Sequence, residues 1–232
     1  MRFLSLMRKE MRECMLWMLL AAIVVLATGA FFLREAGQRY GDYVHRLGNI
    51  QPGSIVSVSE LIYRSPLQML GPVLLVTSIG LGLAMGVQHF WLPYLTGTWP
   101  FLIHRSVTRK TIFWAKFAAA IAGFIISVGA VWTALYWYSW HKEIFAIRTT
   151  LRVFAEGWLF VLLGLMAYLG TALTGLSEAR WWTTRIFGLG FATLVILKVF
   201  APWRLSVAFG VVILGAVILV SLSVDVISKR EF

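Results

Sequence analysis

Few residues in this chain could do chemistry, and they lie far apart. The four histidines, His45, His89, His104 and His141, fall in four different segments. None forms H-x-x-x-H or H-E-x-x-H, so the spacing that turns two imidazoles onto one helix face for zinc is missing. Cys14 is the only cysteine, which excludes a disulfide framework. No G-x-x-x-x-G-K-[ST] loop is present: Gly80, Gly82 and Gly86 have no lysine after them and sit in an apolar run, where they cannot cradle a nucleotide phosphate. No G-x-S-x-G nucleophile turn occurs, and no apolar stretch carries a clear pair of carboxylates. A catalytic site, a metal site and a cofactor site are therefore not expected.

Two ionisable groups lie within apolar stretches, where charge is costly and often functional. Glu156 follows Arg152 by four positions, which places both on one helix face as an ion pair near the membrane interface. Lys198 would cost roughly 2.5–3.5 kcal/mol at mid-membrane. Near the end of a short span, its long stem lets the ammonium reach the headgroups instead. A proton-coupled carrier needs a chain of such groups, and these two lie on different spans.

The elements that must position these groups follow from composition. The chain has 232 residues, 59% of them hydrophobic and only 13% charged, with a mean hydropathy of +0.80. So few charges cannot cover that much apolar surface in water, so this is an integral membrane protein. The net charge of +11 would suggest nucleic acid in a soluble chain. Here the basic residues lie between apolar runs, where membrane lipids and topology account for them, and no nucleic-acid partner is expected.

A membrane-crossing helix needs about 20 mainly apolar residues. Six stretches come near this: Cys14–Leu33, Leu67–Val87, Phe117–Trp140, Val153–Gly175, Ile186–Ala201 and Val207–Val224. The fifth is the shortest and is followed by Pro202. None alternates with period two, so they are helices rather than barrel strands. The expected fold is all-α, a single transmembrane domain over residues 1–232. An even number of spans puts both termini on one side. That side carries 12 Lys and Arg against 9 on the other, which favours cytoplasmic termini. Ala27-Thr28-Gly29 loosely resembles a leader cleavage site, but the apolar run continues through Leu33 and is too long for a signal core.

Residues 1–13 form an amphipathic helix, with Phe3, Leu4, Met7 and Met11 at helical spacing and Arg2, Arg8, Lys9 and Arg12 off that face. It should rest in the headgroup layer. Residues 34–66 are expected to hold a small helix or a strand pair around the alternating Ile55–Val58. Ser78, Gly82 and Gly86 repeat at intervals of four, as do Ala167, Thr171 and Gly175. Such small-residue seams let backbones approach closely, within one chain or between two copies.

The segment from His89 to Phe117 is too polar and basic to span, yet rich in aromatics. Thr98 can cap a short helix with Pro100 in its first turn. Phe101, Leu102 and Ile103 supply an apolar body that ends in His104 and Arg105, and Ser106 or Thr108 can start the next helix. Two readings stay open on these residues alone. One is a docking surface for a soluble partner, and the other is an interfacial aromatic belt with topology-setting cations.

The pattern G-T-x-x-F-L-x-x-R-S-V-T-R-x-x-I-x-x-x-K over Gly97–Lys116 resembles the cytoplasmic loop between the second and third spans of type-2 ABC exporter permeases. Ser106 stands where that family commonly has proline, Thr108 where it has serine, and the acidic residue often found before Gly-Thr is missing. The likeness implies a coupling helix over Thr98–Arg105 seated in a groove of a separate ABC ATPase subunit. Trp99, Phe101 and Leu102 would be its anchors, and Arg105, Arg109 and Lys110 its charged rim. It further implies two ATPase copies, a second permease copy or paralogue, and a bacterial-type plasma (inner) membrane. The other function classes are an ATP-independent membrane assembly or scaffold protein, which would tolerate changes in 97–116, and a membrane enzyme, which would need a polar intramembrane group such as Glu156.

Overall fold

The computed structural model describes residues 2–48, 66–97, 108–141, 150–177, 186–200 and 204–229. Among them the chain is helical, without strands. Helix α1 is Arg2–Glu13 and α2 is Met15–Gly48. Helix α3 runs from Pro66 through Gly71–Gly86 and a π-helical turn, Val87–Trp91, into Leu92–Leu95. Helix α4 comprises Arg109–Phe124, a π-helical turn at Ile125–Gly129, and Ala130–His141. Then come α5 (Leu151–Leu176), α6 (Phe187–Val199) and α7 (Leu205–Lys229).

Five of these, α2, α3, α4, α5 and α7, are long and apolar enough to cross a membrane. Helix α6 has 13 residues, about 20 Å at 1.5 Å per residue, short of a hydrocarbon core of about 30 Å. Helix α2 continues beyond the apolar run expected to end at Leu33. Arg34 to Gly48 are polar but contain no proline, so falling hydropathy ends the membrane-embedded part and not the helix. The alternating stretch at residues 55–58 lies outside the described residues.

Helix α5 is the hub. Its most apolar stretch is 83% buried inside the protein, against 17% for α2 and 28% for α7. The outer helices turn Leu16, Leu20, Ile23, Ile213, Leu214 and Val217 outward, as a lipid-facing surface requires. One contiguous cluster of buried side chains joins α2, α3, α4, α5, α6 and α7.

The Ser78–Gly82–Gly86 seam packs on α5, chiefly at Gly164 and Thr171. A Cβ on Gly82 would strike the Gly164 carbonyl oxygen, and one on Gly86 would lie 2.6 Å from Thr171 Cβ. A Cβ on Gly164 would in turn meet the Ser78 carbonyl. The backbones of α3 and α5 thus touch along this line, and the Ser78–Gly82–Gly86 seam serves packing within the chain. Gly157 makes room in the same way for the Trp132 indole, whose Nε1 donates to the Phe154 carbonyl at 3.2 Å.

Candidate functional site

Among the described residues, the fully buried ionisable groups Glu10, Cys14, His89 and Lys116 are brought together at one end of the bundle, where α1 ends, α3 ends, and α4 begins. Helix α1 turns Leu6, Met7, Glu10 and Met11 toward the protein, and Cys14, the residue between α1 and α2, continues that stripe. Of the expected apolar face, Met7 and Met11 turn toward the protein while Phe3 and Leu4 are exposed, and the inward stripe includes an acid. That acid meets Lys116, two turns into α4. Lys116 Nζ donates to Glu10 Oε2 at 2.7 Å, and both side chains are 2% exposed. The ammonium also lies 6.0 Å from the centre of the Phe90 ring, the outer limit of a cation–π contact.

His89 lies beside this pair. Its Nε2 is 3.7 Å from Glu10 Oε2, too far for a hydrogen bond, and 3.1 Å from Cys14 Sγ. Its Nδ1 is 3.1 Å from the Tyr168 hydroxyl of α5. A buried phenol needs an acceptor. If Tyr168 donates to Nδ1, the ring proton of a neutral His89 sits on Nε2, facing the carboxylate and the thiol. The π-helical turn has a local consequence: the extra residue per turn buries both His89 and Phe90, adjacent in sequence. From the same turn, Gln88 Nε2 donates to the Glu13 carbonyl at 2.6 Å, satisfying one of the free acceptors at the end of α1. Trp91 Nε1 donates to the Thr171 carbonyl at 3.2 Å.

A thiol next to an imidazole is an arrangement used by cysteine nucleophiles. Here neither Cys14 nor His89 has any exposed surface, and Lys116 already neutralises the Glu10 carboxylate. The cluster offers no face to a substrate. What it can do is fix four elements to one another. Removing one partner of a buried ion pair costs about 3–5 kcal/mol, because the other charge is left uncompensated.

The residues singled out in the sequence are distributed as follows. Thr98, Trp99, Pro100, Phe101, Leu102, His104 and Arg105 lie outside the described residues. Arg109 is the first residue of α4, and Lys110, next to it, is exposed. Thr108 caps this helix, its Oγ1 accepting from the Thr111 N–H at 3.4 Å. Arg152 Nε donates to Glu156 Oε1 at 2.9 Å, at the other end of the bundle. With Arg152 75% exposed and Glu156 33%, this pair is worth only about 0.3–0.5 kcal/mol. Lys198 is exposed one residue before the end of α6. Among the described residues, no group of three or more His, Cys, Asp and Glu is arranged to hold a metal ion.

The sequence offers Lys116 only as the last letter of a motif, Cys14 only as a lone cysteine and His89 only as one of four scattered histidines, and it does not single out Glu10 or Tyr168. One signal was available. Glu10 is the single acid on a stripe otherwise made of Leu6, Met7, Met11 and Cys14, and an acid placed there needs a cation.

Comparison with protein-family models, with curated proteins and with solved structures finds no match to this chain.

Proposed function

We propose that this multi-pass helical protein is the membrane-spanning permease subunit of an ATP-driven exporter of the type-2 ABC class. It would work with two copies of a separate ATPase subunit and a second permease copy or paralogue. It would sit in a bacterial-type plasma (inner) membrane, with both termini and residues 97–116 on the cytoplasmic side. On this reading Phe187–Val199, extended by its flanking residues, is a sixth and incomplete span. The chain itself would hydrolyse nothing, and the nucleotide loop missing from its sequence would belong to the partner.

The observation that carries the reading is the buried Glu10–Lys116 pair. A motor that acts on residues 98–105 can do useful work only if the next helix does not yield separately. Lys116 is the final residue of the exporter-like motif, and it is clamped to α1 and, through the His89 cluster, abuts α3 and α5. Force on the loop would therefore reach several helices together and shift them between alternative packings, as bistable interfaces do.

The test is co-purification with a Walker-motif ATPase. The double variant Phe101→Asp with Arg109→Glu should abolish the association and its transport-linked ATP turnover. If both persist, residues 98–109 are not the coupling element.

A further inference from the structure

At the end of the bundle opposite Lys116, a cavity of about 250 Å³ lies between the first turns of α3 and α5. Leu74, Leu75, Val153, Phe160 and Phe200 line it, with Trp132 beside Gly157. Trp132 spends its N–H on the Phe154 carbonyl, so the indole offers the cavity only its apolar surface. An apolar cavity of about 150 Å³ accommodates benzene, so this one has room for a longer stretch of hydrocarbon. Apolar side chains around it are exposed: Met69 is 45% exposed, Leu151 72% and Phe200 56%.

Among the described residues that line this space, Glu156 carries the one charged side chain, and Gln68 adds a polar one. Arg152, the partner of Glu156, is not among the lining residues and is three-quarters exposed. The pair is thus a weak surface contact that an incoming cation can replace, leaving the guanidinium to water or headgroups.

We propose that this cavity binds an amphiphile with a cationic headgroup, its ammonium against Glu156 and its tail among the apolar side chains. Such a molecule can be an amine-headed membrane lipid or an amphiphilic amine taken up from water, since the recognised chemistry is the same. The site is built from this chain alone, so it does not depend on the ATPase partnership.

The full chain in nanodiscs of digalactosyldiacylglycerol, a lipid whose headgroup carries no ammonium, is titrated with dodecyltrimethylammonium and with dodecanol, using empty nanodiscs as the baseline. The ammonium compound should bind saturably, one per chain, and about tenfold more tightly than the alcohol. Glu156→Gln should erase that difference while leaving dodecanol unchanged. Arg152→Gln should tighten ammonium binding, and Leu75→Trp should weaken both ligands by filling the cavity. Equal affinity for the two compounds, or a difference that survives Glu156→Gln, overturns the assignment. Unaltered binding in Leu75→Trp overturns the location. Displacement of dodecyltrimethylammonium by phosphatidylethanolamine in the nanodisc would identify a lipid headgroup as the occupant; binding unaffected by that lipid would identify a free amphiphilic amine.

Discussion

Lys116 Nζ and Glu10 Oε2 are 2.7 Å apart although 106 positions separate the residues in sequence, and neither side chain is more than 2% exposed. The contact joins the first helix of the chain to the helix that follows the exporter-like loop.

Breaking and replacing that pair should have different effects. Glu10→Ala or Lys116→Ala alone should lower stability by about 3–5 kcal/mol, since a lone charge remains buried. The double variant Glu10→Leu with Lys116→Met should recover most of the loss, because apolar side chains of similar volume can replace a buried ion pair at little cost. Thermal unfolding in one detergent, with all four proteins side by side, measures this. Double-variant stability no better than that of the single variants would mean that the ion pair itself stabilises the fold.

The α3–α5 contact supplies an internal control. Gly82→Ala puts a methyl group into the Gly164 backbone and should cost about 1–3 kcal/mol. Gly80→Ala, two residues away, meets nothing within 4 Å and should be neutral or gain up to about 1 kcal/mol from helix propensity. Unfolding midpoints that do not separate the two would refute the close approach.

Cysteine labelling tests burial and topology together. Cys14 is fully buried, so a maleimide should leave it unmodified in the folded protein and react only after denaturation in dodecyl sulfate. In a Cys14→Ser background, new cysteines at Ser57 and Ser106 should label from opposite sides of the membrane. Labelling from one side would remove an odd number of crossings between them.

Much of the framework was legible in the residues because apolar run length maps directly onto helix length in a bilayer. Glycine and serine at intervals of four likewise mark a close backbone contact on α3, though not that α5 is the partner. Other features depend on contacts that no local pattern records. Glu10 looks like a solvated residue in a basic helix until Lys116 is brought to it. His89, inside a stretch read as loop, is helical because Val87–Trp91 continues α3 with one residue too many per turn. The polar end of α2 shows the opposite error: hydropathy marks where lipid stops, while the helix goes on to Gly48. The Arg152–Glu156 pair was readable because four residues on one helix need no tertiary information.

The meeting of Gly82 with Gly164 also limits how the molecule can deform. Two main chains in direct contact cannot slide past one another by a turn without colliding, so α3 and α5 form a keel. Large displacements within the bundle then fall to the loosely seated helices at the periphery, α2 and α7, and to the short α6.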